Sequence, residues 1–334
     1  MDSFAFMIHP IDPKKDVSRK FPLLGRLLSE RQISFFSTYF PPVYISEIRG
    51  IRSAATGKQI KGWFLACPLT PDRMLSLPVK RVYRKIIQTG QMAERLGADI
   101  LGLGAFTSVV GDGGITIASA LDIPVTTGDA YTVSVAMQAI RNAARIMEMP
   151  LAMATAAVVG ATGAIGRICC EMLAKDVSQL YLIGRRADRL EQLRRKLQLE
   201  NPAVRFSAST STEVLLDADV ILAASSSKNA IVQPENLRSG SLICDVARPR
   251  DISPKVAALR EDVLVIDGGT ISLARVDEIT AIAERHGFRL SGLRSFDKPV
   301  TEETIARICQ RARARERVSA MNKPRRLLWE KPDY

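Results

Sequence analysis

The chain is poor in the residues that build metal centres and disulfide frameworks. Two histidines in 334 residues leave no zinc pattern, and five cysteines without framework spacing leave no even set to pair. An odd, scattered cysteine count fits free thiols in a reducing compartment, so a cytoplasmic protein is expected. No apolar run reaches the ~20 residues a helix needs to cross a bilayer. The stretch MDSFAFMIHPIDPKKD lacks a basic segment followed by an apolar one, so no signal peptide is expected. Aromatic residues make up only 6% and no nucleic-acid-binding motif is present. The net charge of +12 is therefore not read as a nucleic-acid surface. Nine of the Lys and Arg residues lie between Arg307 and Lys331. Such a basic tail could meet an acidic protein, make a peripheral contact with an anionic membrane, or simply face water.

What is present is ordinary for a soluble globular protein: 46% hydrophobic residues, 25% charged, and enough length for two or three domains. The organising stretch is Thr155 to Arg186, which reads as strand, Gly-rich turn, helix, strand. Ala156–Val159 is short, apolar and partly β-branched, as a strand buried on both faces should be. Gly160-Ala161-Thr162-Gly163-Ala164-Ile165-Gly166 follows at once, a G-x-x-G-x-x-G variant of the dinucleotide fingerprint. In it Gly160 makes the sharp turn, Gly163 lets backbone N–H groups approach a pyrophosphate, and Gly166 lets the helix lie close to the strand. The flanking strand and helix make the match specific. The next strand, Leu180–Ile183, runs into Gly184-Arg185-Arg186, where an NAD site would carry an Asp or Glu for the ribose hydroxyl. Two guanidinium groups suit a 2′-phosphate, so NADPH is the expected cofactor. The plainer reading makes Arg185 and Arg186 a solvated start to the helix over 188–199.

The fold class expected is α/β. An N-terminal α/β substrate domain over 1–150 precedes a Rossmann-type NADP-binding domain with a parallel sheet over 151–270. C-terminal helices and the basic tail occupy 271–334. Residues 1–20 read as extended and loop-like, 21–40 as partly helical, and 43–48 with 62–67 as a hairpin. A helix over 80–96 and a strand over 99–103 follow. Two strand ends in this half read as ligand loops: Gly104-Ala105-Phe106-Thr107-Ser108 and Thr126-Thr127-Gly128-Asp129. In α/β sheets ligands sit beyond the carboxyl ends of strands, where small and hydroxyl residues leave room and donate hydrogen bonds. Equally, Thr127 or Asp129 can serve only as a helix cap and the glycines only as turns. In the second half, strands end at Ala224-Ser225-Ser226, at Val246 and at Gly268-Gly269, positions expected to surround the nicotinamide. A helix over 272–285 ends in His286-Gly287, a cap rather than a catalytic histidine, and a last helix starts at Thr301-Glu302-Glu303.

Together GLGAFTSVVG, VTTGDAYT, VVGATGAIG and the HGF at 286–288 resemble the long-chain acyl-acyl-carrier-protein reductases, and DVARPRD at 245–251 resembles the shikimate-dehydrogenase and glutamyl-tRNA-reductase type of NADP domain. The resemblance implies NADPH-dependent reduction of an acyl thioester, on acyl carrier protein or coenzyme A, to a fatty aldehyde through a cysteine thioester. Acyl carrier protein is acidic, which suits the positive charge of this chain. The family's cysteine-bearing segment lies between the last dinucleotide-domain strand and the C-terminal helices. Here Ile266–Gly269 passes directly into Thr270-Ile-Ser-Leu, and that segment with its cysteine is missing. Cys67, at a strand end before Pro68 and a loop, reads as the least buried of the five thiols and is the one catalytic candidate. Three functions compete: acyl thioester reductase, a non-catalytic or inactive NADPH- and acyl-binding homologue, and a shikimate-dehydrogenase-like oxidoreductase on a small polar substrate.

Overall fold

The computed structural model describes residues 2–10, 12–227, 229–247, 249–268, 285, 293–295 and 298–322. They form two compact α/β units, one over Met1–Tyr131 and one over Thr132–Gly269 with the C-terminal residues from Leu290. The division falls well before residue 150, inside the helix Asp129–Ile146, and the described C-terminal helix joins the second unit rather than standing apart. Arg285 excepted, the expected helix over 272–285, its His286-Gly287 cap and the junction after Gly269 lie outside the described residues.

In the first unit β1 (Ser3–Ile8) leads to α1 (Pro13–Lys20), α2 (Pro22–Leu27) and α3 (Glu30–Ser37). The hairpin of β2 (Val43–Arg52) and β3 (Gln59–Ala66) follows, then α4 (Pro71–Ser76), α5 (Val79–Arg95) and β4 (Leu101–Leu103). Two short helices, α6 (Phe106–Val109) and α7 (Ile115–Ala118), precede β5 (Val125–Thr126). The sheet order is β2-β3-β1-β4-β5; β1, β3, β4 and β5 run parallel and β2 is antiparallel at the edge. The stretch read as loop-like thus supplies the middle strand. Ala5 and Met7 are fully buried against Leu65, Leu101 and the inner face of α5, where Val82, Ile86 and Ala93 recur at helical spacing.

The second unit contains α8 (Asp129–Ile146) from Thr132 onward, β6 (Thr155–Val159), α9 (Ala164–Leu173), β7 (Gln179–Ile183), α10 (Ala187–Glu200) and β8 (Arg205–Ser209). Then come β9 (Val220–Ala223), β10 (Leu242–Asp245), α11 (Pro254–Leu259), β11 (Leu264–Asp267) and the C-terminal helix Glu302–Asn322. The six strands of its main sheet are all parallel, in the order β11-β10-β9-β6-β7-β8, and Arg294–Ser295 pairs antiparallel with Lys298–Pro299 apart from it. Read from the other edge this is the doubly wound Rossmann arrangement, with its reversal of direction between β6 and β9. No helix among the described residues is long and apolar enough to cross a membrane.

Part of the basic tail is absorbed into this unit. On the C-terminal helix Arg311 pairs with Glu261 at 2.6 Å, Arg313 with Glu148 at 3.4 Å and Arg315 with Asp262 at 3.0 Å. Asp262 is 1% exposed and also takes bonds from the Arg260 guanidinium and the Ser239 hydroxyl. Burial pushes its carboxyl up, but Arg260, Ser239 and Arg315 outweigh burial and bring it down to about 2. A depressed folded value adds stability that is complete above the unfolded titration near 3.8 and fades as pH falls from there towards 2. Asp262→Asn should cost about 2 kcal/mol at neutral pH and flatten the acid limb of stability between those two values. Urea unfolding across a pH series measures both; an unchanged acid limb refutes the assignment.

Candidate functional site

In the second unit, β6 is apolar enough to lie buried in mid-sheet, and Gly160 breaks it with φ +81°. Gly160 and Ala161 N–H groups donate to the Ile183 carbonyl at 2.9 and 3.0 Å, and Gly163 N–H closes the turn onto the Gly160 carbonyl at 2.9 Å. The α9 helix then starts at Ala164 with Gly163 at its cap and no side chain bonded to the cap, so its leading N–H groups face outward. A Cβ on Gly160 would come within 2.7 Å of the Ala224 carbonyl oxygen, and one on Gly166 would overlap the Gly160 carbonyl. The turn is thus a cradle that side chains would fill, set at the reversal of strand order, where this fold holds a dinucleotide. Arg185 and Arg186 are both exposed at the carboxyl end of β7, with Arg186 at the cap position of α10. Ala224 and Ser225 touch the glycine turn, while Val246 and Gly268 meet at the ends of β10 and β11. All these positions lie along one edge of one sheet; Gly269 lies outside the described residues.

Ser225 is not a free lining residue. Its N–H and hydroxyl donate to the Asp251 carboxylate at 2.7 and 2.5 Å. Asp251 is fully buried, which pushes its carboxyl up, and the two bonds from Ser225 oppose that rise. At the ends of β10 and β11, Asp245 accepts from the Ala247 and Ile252 N–H groups, and Arg250 pairs with Asp267. These contacts fix the loops after the two strands.

In the first unit the two expected loops and His9 gather at the carboxyl ends of β1, β4 and β5. Gly104 N–H donates to the Met7 carbonyl, and Ala105 takes φ +49°, a rare conformation for a residue with a Cβ. Thr107 and Ser108 hydroxyls turn back onto the Gly104 and Ala105 carbonyls at 2.7 Å, so both are spent on the loop itself. His9 is the residue the sequence did not single out. Its Nε2 accepts the Phe106 N–H at 3.1 Å, its Nδ1 faces the Pro10 carbonyl at 3.1 Å, and its ring meets Phe106 edge-on at 5.9 Å. Burial holds His9 below its usual titration, opposed by the Pro10 bond, and it serves as a neutral brace for the Phe106 loop. A histidine ending an apolar run was its only sequence signal. In the second loop Gly128 has φ +89°, and the Thr127 hydroxyl bonds to Asp129, whose carboxyl burial pushes up against that bond. The Thr127 methyl also lies against the Gly114 turn.

Cys67 requires correction. It is fully buried in the core with Met7 and Leu65, and burial pushes its thiol up to about 11, opposed by bonds to the Leu69 backbone and Thr89. The chain after β3 packs inward, with Leu69 also fully buried, instead of opening as a loop. A thiol that keeps its proton away from solvent is no nucleophile. Cys169, Cys170 and Cys244 are likewise buried, and Cys309 on the C-terminal helix is the more accessible thiol.

Fold and site define a two-unit α/β protein whose second unit is a Rossmann-type NAD(P)-binding domain. The family model described as shikimate / quinate 5-dehydrogenase matches residues 141–268. The chain is 28% identical over 220 residues to the aminotransferase PigE of Serratia sp. (strain ATCC 39006), spanning 66% of this chain and 26% of that protein. It is 28% identical over 272 residues to the long-chain acyl-[acyl-carrier-protein] reductase of Synechococcus elongatus, spanning 78% of this chain and 76% of that protein. Among solved structures, the L-tryptophan dehydrogenase of Nostoc punctiforme superposes with a TM-score of 0.40 at 13% identity, covering 93% of this chain and 80% of that one.

Proposed function

We propose that this chain is an NADPH-dependent oxidoreductase that reduces an acyl thioester, presented by acyl carrier protein or coenzyme A, to the aldehyde. The observation that carries the reading is the reach of the similarity to the Synechococcus reductase. Residues 132–334 are less than two thirds of the chain, so a match over 78% extends into the unit that bears the Phe106 and Thr127 loops. The bound nicotinamide supplies a hydride for the thioester carbonyl carbon. The glycine turn would hold the pyrophosphate on the α9 N–H groups, and Arg185 and Arg186 would hold the 2′-phosphate. The loops at 104–108 and 126–129 receive the acyl group. Asp129, in the second of these loops, bonds to Thr127 and is pushed above the usual carboxylate range by burial. Reduction would require a hydride at the carbonyl carbon and a proton on the departing sulfur, so that the products are aldehyde and thiol. The substrate thioester itself is the hydride acceptor, because Cys67 offers no thiolate. The +12 charge favours an acidic carrier.

The shikimate / quinate family match over 141–268 favours a second reading, a dehydrogenase acting on a small polar substrate. Incubation with acyl carrier protein thioester and NADPH, with aldehyde measured directly, separates the two. Aldehyde formation retained by Cys67→Ala supports the first. NADP+ reduction by shikimate or quinate without aldehyde supports the second, and NADPH binding without turnover on either refutes both.

A further inference from the structure

Residues 12–40 form a surface that the cofactor and acyl sites do not use. In α1 to α3, Gly25 packs against Ser18, and Ile33 and Ser37 turn inward. What remains outside is apolar: Leu23, Leu27 and Tyr39 are 73%, 78% and 71% exposed, and Phe21, Phe35 and Phe36 are also exposed. Phe35 meets Phe36 and Tyr39 at ring distances of 5.4 and 6.1 Å, so the aromatic part is a cluster and not a scatter. Single exposed leucines are ordinary; seven exposed large apolar side chains within residues 21–39, Leu24 among them and three of them in ring contact, mark a contact surface.

Charge says what kind of contact. The stretch holds six cations, all exposed, against Asp12, Asp16 and Glu30. Asp12 and Asp16 are taken by Lys15 and Arg19, which leaves Lys14, Lys20, Arg26 and Arg31 without an acidic partner among the described residues. On α2, Leu23 lies one turn from Leu27 and three residues from Arg26, so a cation stands next to the apolar pair. Protruding aliphatic chains with a cation among them match a boundary where acyl chains lie just beneath phosphates. We propose that α1–α3 form a peripheral docking surface for an anionic lipid bilayer. The proposal concerns the first unit's residues 12–40 and not the basic tail, and it is independent of the reaction assigned above.

Sedimentation of the full chain with vesicles tests it. Native protein should pellet with phosphatidylcholine vesicles containing phosphatidylglycerol and stay in solution with phosphatidylcholine alone. Leu23→Glu/Leu27→Glu should weaken partitioning by about tenfold or more, because the removed apolar contact is replaced by repulsion. Arg26→Glu/Arg31→Glu should weaken it too and flatten its salt dependence. Tyr39→Ser, a milder change at an exposed ring, checks the result independently of any folding defect, which thermal melts would reveal. Native protein left in solution with both vesicle types overturns the proposal. So does unaltered pelleting of the variants, which assigns binding to the intact tail. A concentration-dependent dimer that Leu23→Glu/Leu27→Glu abolishes without lipid assigns the surface to a second copy and overturns it as well.

Discussion

In a fluorescence titration, Gly166→Ala protein should bind no NADPH at concentrations that saturate the native chain. The added methyl would overlap the Gly160 carbonyl oxygen and lie 2.8 Å from the Gly160 carbonyl carbon, and both are backbone that cannot rotate away. Either α9 lifts from β6 or the turn opens. Each removes the N–H groups that the pyrophosphate needs. Overpacking of this kind costs about 3 kcal/mol of stability, so the variant should melt lower yet remain folded. Native affinity in a folded Gly166→Ala chain would refute the assignment of the turn as the cofactor cradle.

The second large effect is on cofactor choice. Arg185→Glu/Arg186→Glu should raise the Kd for NADPH by about 100-fold while leaving NADH binding within a few-fold of native. Two charge-assisted bonds to a phosphate, each worth about 1.5–3 kcal/mol, are exchanged for repulsion. NADH lacks that phosphate and should lose little. Both arginines are exposed and Arg186 makes no side-chain cap bond to α10, so thermal stability should hold. Equal losses for both cofactors would place the arginines elsewhere than at the ribose.

The dinucleotide half was readable because its signals are local. β6, the glycine turn, α9 and β7 follow one another within the stretch 155–186, and each strand carries a continuous apolar run of its own. β1 was not legible for the opposite reason. Phe4-Ala5-Phe6-Met7-Ile8 is apolar on both faces, which a window of sequence cannot tell from a buried loop, and its partners Lys61 and Leu101 lie far along the chain. β8 failed differently: Arg205-Phe-Ser-Ala-Ser209 is an edge strand with one large apolar side chain, so almost nothing in its composition marks it. At the site, the hydroxyls of Thr107 and Ser108 looked available for ligand, yet they close their own turn. Cys67 looked accessible because a proline follows, and burial by β1 was unforeseen because β1 itself was. His9 was overlooked with it. One missed strand therefore accounts for both errors of the first unit.

That same strand imposes an order on biogenesis. Ser3–Ile8 leaves the ribosome before the strands on either side of it, since β3 and β4 arrive only with residues 59–66 and 101–103. At translation speeds of about 5–20 residues per second, Phe4 and Phe6 wait several seconds or more with neither neighbour to cover them. Such long-range closure is slow and keeps sticky segments open to chaperones or to one another. Yield in a heterologous host should therefore depend on how early nascent chains are sheltered, more than on the equilibrium stability of the finished protein.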